Sequence, residues 1–458
     1  MSDPRDTTSV RAGSSQLLTG WGLTMPSRAD VLAVQDVDGV RAALDTAGPR
    51  GILARGAGRS YGDAAQNGGG TVLDLTALDD VALHENGDVE AGAGVLLSTL
   101  VDRLLEHGRF LPVTPGTRFI SVGGAVAADV HGKNHHRDGS FAAHLRWIDV
   151  VTGDGSLRRV GPDGTADDVE LFDATTGGMG LTGVVVRARL ATVPAPTRLM
   201  RVSTTRCVDL DTLMARMVEA DASARYSVAW VDAMARGARL GRGVLTVGDH
   251  AEAGARRPRA GRSLREPRVS VPPVPVSPLN RVSLSAFNEA WFRRAPRARV
   301  GELQGIGPFF YPLDVVGRWN RLYGRDGFLQ YQFVVPDAGA EVVRQSLERL
   351  ATMGAPSFLT VLKRFGPGRV GSPLSFPIAG WTLAIDLPAR VPGLASVLDG
   401  LDELVVAGGG RLYLAKDSRA LPATIAAGYP ELDTFRRVRG RVDPRGVFVS
   451  DLSRRLAL

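Results

Sequence analysis

Residues 55–63 read RGAGRSYGD, so Gly56, Gly58 and Gly62 fall within one short loop. Glycine lacks a Cβ atom, which lets the chain turn tightly and lets several backbone N–H groups converge on one anion. Such a nest neutralises a pyrophosphate. The loop is therefore predicted to bind phosphate groups, and a plain structural turn is the alternative.

The spacing of these glycines also bears on a Rossmann-type dinucleotide site. That fingerprint is G-x-G-x-x-G at the start of a helix, with an acidic residue about 20 positions further on, where Asp74 stands here. In this chain the spacing is G-x-G-x-x-x-G, and the following residues 63–70, DAAQNGGG, are typical of a turn. We therefore expect a phosphate-binding site that is not of the Rossmann type.

Two further segments carry small residues that let a flat molecule lie on the backbone. Residues 115–136 read PGTRFISVGGAVAADVHGKNHH, with small side chains over most of 123–128, and residues 177–183 form another glycine loop. His131 and His135 are four positions apart, a spacing that suits two zinc ligands on a helix. A polar cluster lining a cofactor pocket is the favoured interpretation of the two histidines, and a zinc site is the alternative.

The composition of the sequence and its pattern of apolar residues change twice along the chain. Short apolar runs and turns continue to Pro194 and Pro196, which should stop strand pairing because proline lacks an N–H donor. Antiparallel strands with helices on one face are expected next, interrupted by an Arg-, Pro- and Ser-rich mobile loop at about 250–278. A basic segment follows residues 408–410. The predicted parts are 1–196, 197–409 and 410–458.

Composition sets wide bounds on function. A chain of 458 residues with 44% apolar and 22% charged residues is typical of a soluble protein of two domains. It has no apolar run of a membrane span, no apolar leader is recognisable at its start, and the single Cys207 excludes an internal disulfide. The net charge of +7 suits nucleic acid, an anionic membrane or an acidic substrate, or reflects genome composition alone.

Together these segments resemble the vanillyl-alcohol oxidase and p-cresol methylhydroxylase superfamily of FAD enzymes. Within it, the sequence is similar to the decaprenylphosphoryl-β-D-ribose 2′-oxidase family of actinobacteria. The likeness rests on ARGAGRSYGDAAQNGGG at 54–70, HGKNHH at 131–136, FLQYQF at 328–333 and RLYLAKDSR at 411–419. It implies an α+β fold: an FAD-binding domain of two α+β subdomains, an inserted antiparallel-sheet substrate domain, and a C-terminal segment that returns to the FAD domain.

The resemblance also implies a reaction. The 2′-hydroxyl of a polyprenyl-phosphoryl ribose is oxidised to a ketone, and a separate NAD(P)H-dependent keto-reductase completes the epimerisation to arabinose for cell-wall arabinan. A sugar or alditol oxidase acting on a soluble substrate is the alternative among flavoenzymes. A non-catalytic nucleotide or nucleic-acid binder is favoured by charge alone, and the basic residues are not interleaved with the aromatics that single-strand binders use.

The residues implied in FAD binding belong to the three segments and to the C-terminal motif. They are Ala54, Arg55, Gly56, Ala57, Gly58, Arg59, Ser60, Tyr61, Gly62, Asp63, Ala64, Gly116, Ser121, Val122, Gly123, Gly124, Ala128, Asp129, Val130, His131, Val184 and Tyr413. No metal is expected. In several oxidases of the superfamily a His at the position of Arg59 bonds the flavin, so the FAD is expected to be non-covalent here.

The catalytic candidates are Lys416, Tyr61 and His131. Lys416, placed at the isoalloxazine by the resemblance, supplies positive charge there, while Tyr61 and His131 serve proton relay or ring packing. The substrate candidates are Lys133, Trp230, Tyr311, Gln330, Gln332, Lys363, Ala384 and Lys416. The alternatives are a surface lysine for Lys416, a polar strand face for the glutamines, and core aromatics for Trp230 and Tyr311. Mycobacterial relatives commonly carry Cys at the position of Ala384.

A lipid-linked substrate implies peripheral membrane contact without a transmembrane span. The loop arginines Arg256, Arg257, Arg259, Arg262, Arg265 and Arg268 are predicted to attract anionic headgroups. The resemblance implies the cell-envelope face of the membrane. The lack of a recognisable signal peptide leaves the cytoplasmic face open. No nucleic-acid partner is expected.

Overall fold

The computed structural model describes residues 10–255 and 269–458. The six arginines of the predicted loop, at 256–268, lie outside the described residues. Beyond them, Val269–Ser270 forms a short strand that pairs in parallel with Val316–Gly317, so the end of the loop region has regular structure.

Two sheets form the first part of the chain. One has strand order β1-β2-β4-β3 and the other β5-β6-β10-β8-β9 within the described residues. The elements are β1 (Val10–Leu18), β2 (Ser27–Val34), α1 (Val37–Asp45), β3 (Ile52–Arg55), β4 (Thr71–Asp74), β5 (Val81–Leu83), β6 (Val89–Gly92), α2 (Leu97–Glu106), β7 (Arg109–Phe110), α3 (Val122–Ala127), α4 (His135–Asp138), β8 (Leu145–Val151), β9 (Leu157–Val160), α5 (Ala166–Thr175), β10 (Val184–Leu190) and β11 (Val193–Pro194).

Local sequence explains several of these boundaries. Asp36 caps α1 by accepting a hydrogen bond from the backbone N–H of Gly39 at 2.8 Å. Strands β8 and β9 form the predicted hairpin, and Gly155 in its turn has a φ of +80°, which favours glycine. The prediction that Pro194 ends strand pairing is wrong. Pro194 pairs with Arg109 in a two-stranded ladder, where an edge position needs no donor from the proline.

An antiparallel eight-stranded sheet dominates the rest of the described chain, in the order β16-β12-β14-β13-β19-β20-β18-β21. The elements are β12 (Leu199–Cys207), α6 (Leu210–Asp221), β13 (Tyr226–Val231), β14 (Gly243–His250), β15 (Val269–Ser270), α7 (Arg281–Arg294), β16 (Ala298–Gly305), α8 (Ile306–Phe310), β17 (Val316–Gly317), β18 (Phe328–Val335), α9 (Glu341–Met353), β19 (Thr360–Phe365), β20 (Gly380–Pro388), α10 (Leu394–Ala407), β21 (Arg411–Leu412), α11 (Pro422–Gly428), α12 (Leu432–Val442) and α13 (Asp451–Leu456).

The two faces of this sheet carry different chemistry. Successive residues of a strand point to opposite faces, so Tyr331 and Gln332 face opposite ways. Tyr331 donates a hydrogen bond to Asp402 of α10 at 3.0 Å, which places that helix on one face. Gln332 on the other face approaches His131, which precedes α4. The helix-free face of β18 therefore meets the first part of the chain.

The C-terminal segment packs back onto the first part of the chain. Phe448 forms a parallel bridge with Ile52 at the edge of the first sheet, and the N–H of Val449 donates to the carbonyl of Ile52 at 3.0 Å. Cys207 ends strand β12 and is buried. No helix in the described residues combines the length and apolarity needed to cross a bilayer.

Candidate functional site

The predicted phosphate loop joins β3 to β4 and lies directly against the N-terminus of α3. A Cβ atom on Gly56 would come within 2.0 Å of the Ser121 hydroxyl, so only glycine permits this approach. Ser121 in turn caps α3 by accepting a hydrogen bond from the N–H of Gly124. In the described chain, the backbone N–H groups of residues 57–60 donate to no protein acceptor. They are left to a ligand or solvent.

The side chains of Arg55 and Asp63 hold the shape of this loop rather than face a ligand. Arg55 donates to the carbonyls of Thr19 and Ala65. Asp63 pairs with Arg455 of α13 at 2.8 Å, and the same guanidinium binds Asp417 at 2.8 Å. Arg55 and Asp63 were predicted among the cofactor contacts. Because their side chains bind other protein groups, any contact that these two residues make with a cofactor comes from their backbone.

The segment 128–131 is fixed by contacts from both sides. The Tyr413 hydroxyl donates to the carbonyl of Ala128 at 2.8 Å. Asp129, with a φ of +37°, accepts hydrogen bonds from Ser140, Ser375 and the N–H of Ala142. The Asp129 carboxylate is therefore structural, and it ties the first part of the chain to the loop before β20.

His131 is buried and neutral. Gln332 donates a hydrogen bond from Nε2 to His131 Nε2 at 3.1 Å, and an amide NH₂ cannot accept, so the imidazole proton sits on Nδ1. Burial lowers the pKa of His131 well below its usual range, and the charge of Lys363 adds to this effect. His131 Nδ1 has no hydrogen-bond partner in the described residues. A buried N–H donor is thus left to a ligand.

Lys416 and Asp386 form the centre of the site. The Lys416 ammonium lies 3.6 Å from the ring centroid of Tyr61. Burial lowers the pKa of Lys416 to about 7, opposed by the charge of Asp386. Burial also raises the pKa of the Asp386 carboxyl to about 7, opposed by a hydrogen bond from Gln330 and the charge of Lys416. Asp386 Oδ2 has no partner in the described residues, so it is free to bind a ligand hydroxyl.

Two more lysines add positive charge nearby. Burial lowers the pKa of Lys133 to about 8 and that of Lys363 to about 7, where the charges of Lys133 and Lys416 contribute. All three lysines are deep in the protein but keep some accessible surface, as expected for the walls of an internal cavity. Such a cluster favours an anionic ligand, because an anion relieves the mutual repulsion.

Most predicted substrate residues share one face of the large sheet. Strand register places Gln330 beside Asp386, Gln332 beside Ala384, and Trp230 beside Val361 in the same row. This surface is called the site face: Trp230, Gln330, Gln332, Lys363, Thr382, Ala384 and Asp386. A small cavity of about 10 Å³ lies at the edge of the sheet, where Gln330, Gln332 and Lys416 meet Leu398 of α10 and Arg419.

Tyr311 comes from outside the sheet. Its buried hydroxyl is hydrogen-bonded to Thr114 at 2.8 Å, beside the 115–117 turn, and burial raises its pKa. The Trp230 indole N–H donates to the carbonyl of Phe358 at 2.9 Å, so its polar atom is not free for a substrate. Their predicted contact with a substrate would therefore come mainly from their rings.

Sequence reasoning left Asp386 and Thr382 out of the site. Thr382 accepts a hydrogen bond from Gln332 at 3.2 Å, and Asp386 is the charge partner of Lys416. The available signal was the alternation of strand β20, which puts both on the side of Ala384. No group of three or more candidate metal ligands occurs among the described residues, and His131 Nε2 is occupied by Gln332.

These features fit FAD. The free N–H groups of residues 57–60 suit its pyrophosphate, and open space surrounds Gly116, where an added Cβ would meet no atom within 4 Å. The orphaned His131 Nδ1 and the lysine cluster suit a flat, electron-accepting ring that becomes anionic.

Comparison with known proteins agrees with this reading of the site. Residues 29–161 match the model of an FAD binding domain. The chain is 41% identical over 456 residues to the decaprenylphosphoryl-β-D-ribose oxidase of Mycolicibacterium smegmatis, covering 97% of this chain and 98% of that protein. It is 44% identical to an uncharacterised Streptomyces coelicolor protein over 80% of this chain and all of that protein. A rice cytokinin dehydrogenase is 31% identical over 35% of this chain.

Fold and site define an FAD-dependent oxidoreductase whose cofactor lies in a non-Rossmann cradle. More narrowly, the chain belongs to the decaprenylphosphoryl-β-D-ribose oxidase family. The predicted cofactor, fold class and enzyme class are confirmed, and the roles of individual site residues stay predictions.

Proposed function

We propose that this protein oxidises the 2′-hydroxyl of decaprenylphosphoryl-β-D-ribose to a ketone. The observation that carries the proposal is the Lys416–Asp386 pair, because the Lys416 ammonium contacts the ring of Tyr61 in the loop of residues 54–64, called the FAD loop. The chain is also similar to such an oxidase along nearly its whole length. The ketone is the first half of an epimerisation to the arabinose form, which serves cell-wall arabinan synthesis. A separate NAD(P)H-dependent keto-reductase completes it.

FAD, when bound, supplies the hydride acceptor. The chain holds its pyrophosphate with the backbone of residues 57–60 and its ring with His131 and Tyr413. Asp386 in its ionised form accepts the hydroxyl proton at Oδ2. Lys416 in its protonated form stabilises the negative charge that develops beside Tyr61.

Tyr61 and His131 take supporting roles in this proposal. Burial raises the pKa of Tyr61 well above its usual range, so its hydroxyl stays protonated. His131 is neutral and presents a donor on Nδ1, so it binds and orients rather than accepting a proton. Gln330 and Gln332 hold Asp386 and His131 in place.

Peripheral membrane contact belongs to the same proposal. Helix α7 exposes Val282, Phe287 and Trp291, and the last two rings stack at 6.0 Å. Arg281 and Arg294 are exposed at its two ends. Aromatic and basic side chains together on one exposed helix are typical of an element that lies in a bilayer interface.

The product of the reaction tests the proposal. Incubating the holoenzyme with farnesylphosphoryl ribose and an artificial electron acceptor should give a species lighter by two hydrogens, which borodeuteride reduction labels at C2′. Label at another carbon would assign a different hydroxyl. Equal turnover of free ribose or an alditol would favour the soluble-substrate alternative.

A further inference from the structure

A second open cleft lies outside the site described above. It has a volume of about 230 Å³, and its walls include the rings of Trp21, Phe119 and Trp319 and the side chains of Arg59, Arg318 and Asp314. Trp21 and Trp319 contact each other edge to face, with centroids 6.0 Å apart. The cleft therefore combines an aromatic lining with two cations and the single carboxylate of Asp314, which leaves a net positive charge.

Arg59 turns its side chain into this cleft, although its backbone belongs to the FAD loop. Its guanidinium lies 4.0 Å above the Trp21 ring and 5.7 Å from Phe119. Within the described residues it makes no hydrogen bond or ion pair with a carboxylate. The nearby Asp314 instead accepts a hydrogen bond from the backbone N–H of Arg118 at 2.9 Å.

Arg318 also lines the cleft. Its φ of +53° is in the left-handed region, which is uncommon for a side chain of this size. Like Arg59, it forms no ion pair with any described carboxylate. Arginine remains charged at any physiological pH. Two unpaired guanidinium groups on aromatic walls suit an anion that carries an apolar tail.

One wall joins the cleft to the oxidation site. Tyr61 follows Arg59 by two residues, and its ring contacts both the Lys416 ammonium and Phe328, the latter at 5.4 Å. Phe328 in turn contacts Trp319 at 5.5 Å. If the sugar of a ligand contacts Lys416 and Asp386, the group attached to that sugar can therefore enter the cleft.

We infer that this cleft, called the phosphate cleft, binds the phosphodiester and the first isoprene units of the lipid-linked substrate. Arg59 and Arg318 contact the phosphate oxygens, and Trp21, Phe119 and Trp319 contact the chain. This inference rests on the proposed function.

Binding of farnesyl phosphate to the holoenzyme tests the inference without turnover. Titration followed by tryptophan fluorescence should show saturable binding of farnesyl phosphate and much weaker binding of farnesol. Arg318→Gln should weaken farnesyl phosphate about 10- to 100-fold and leave farnesol unchanged. Arg318→Lys should recover part of the loss, and Arg103→Gln, an exposed arginine on α2, should have no effect.

FAD content and flavin reduction distinguish the outcomes. With farnesylphosphoryl ribose, Arg318→Gln should raise the concentration needed for half-maximal reduction far more than it slows the limiting rate. Equal binding of farnesyl phosphate and farnesol by the wild type, or unchanged binding by Arg318→Gln, overturns the inference. Loss of FAD from Arg318→Gln overturns it too, since the cleft then belongs to the cofactor. A wild type that binds farnesyl phosphate but is not reduced by the riboside contradicts the proposed function and leaves the cleft supported.

Discussion

Lys416 acts through its charge beside Tyr61. Removing the ammonium removes stabilisation that is greatest when the flavin becomes anionic, so catalysis should suffer more than folding. We expect Lys416→Ala to fold and load FAD but to reduce the flavin at least about 100-fold more slowly in stopped-flow absorbance. Arg103→Ala, which removes an exposed cation on α2, serves as the control. A wild-type reduction rate in Lys416→Ala would remove Lys416 from the reductive step.

Asp386 should give the reaction an acid limb in its pH profile. Its pKa is raised to about 7, so the ionised form that accepts the proton increases as pH rises towards 7. Lys416, with its pKa lowered to about 7, loses its charge as pH rises further. Flavin reduction should therefore peak near neutral pH. Asp386→Asn should be slow and lack the acid limb, and a wild-type-shaped profile in that variant would contradict the assignment.

Arg59 determines how the cofactor is attached. A guanidinium stacked on Trp21 offers no nucleophile to the flavin, so FAD should be held by non-covalent contacts alone. Denaturation with acid or heat, followed by centrifugation, should leave all the yellow colour in the supernatant. Colour retained in the precipitated chain would show a covalent link.

Sequence motifs pointed to single residues of the candidate site but not to the pairs that they form. Lys416, Tyr61 and His131 came from motifs, and the structure brings them to one place. Asp386 was missed because the alternation of side chains along strand β20 shows which face a residue occupies but not which residue of opposite charge it meets. That residue is Lys416, 30 positions further along the chain. The hydrogen bonds and ion pairs of the Arg55 and Asp63 side chains could not be predicted either, since Arg455, the partner of Asp63, lies nearly 400 residues further along the chain.

At the scale of elements, strand β20 makes a prediction through its register. Ala384 pairs with Gln332 and Val361 on the site face. During turnover with substrate, the reduced flavin would pass two electrons to a nitroaromatic compound bound there and give a nitroso species and water. A neighbouring thiol would add to that nitroso group, and Ala384 has no thiol. Cys207 is buried at the end of β12, and burial raises its pKa. Intact-mass spectrometry should show no adduct on the wild type and one adduct on Ala384→Cys. An adduct on the wild-type chain would contradict the prediction.

Helix α7 carries the prediction for membrane contact. Leu284 and Asn288 anchor it, and Asn288 donates to Asp232 and to the Ser357 carbonyl, so the exposed rings are held outward on a fixed helix. Replacing both Phe287 and Trp291 with Ser should lower sedimentation with anionic liposomes about tenfold. Leu421→Ser, at an exposed leucine before α11, is the control. Binding of the wild type should weaken as salt rises. Unchanged binding of the double variant would exclude this helix.

Element boundaries were predicted best where side chains decide them locally. The β8–β9 hairpin and helices α6 and α9 follow from turn glycines and apolar spacing. Pro194 was misjudged because its partner strand β7 is more than 80 residues away and forms a ladder of only two pairs. The residues next to a proline in the sequence do not show whether it will lie at the edge of so short a ladder.

At the scale of the whole molecule, the site exists only where distant segments meet. The FAD loop comes from residues 54–64, the site face from strands β13, β18, β19 and β20, and Lys416 from the turn after β21. Motifs predicted each segment, and the family resemblance predicted their meeting. The phosphate cleft has no motif of its own, because Trp21, Phe119 and Arg318 come together only in the folded chain.

The central claim is that this assembly passes a hydride from C2′ of a lipid-linked ribose to FAD. Anaerobic mixing of the wild-type holoenzyme with farnesylphosphoryl ribose, compared with its 2′-deoxy analogue, tests it most directly. We expect rapid loss of the oxidised flavin absorbance with the riboside and none with the analogue, which should still bind. Reduction by both compounds, or by neither, would contradict it.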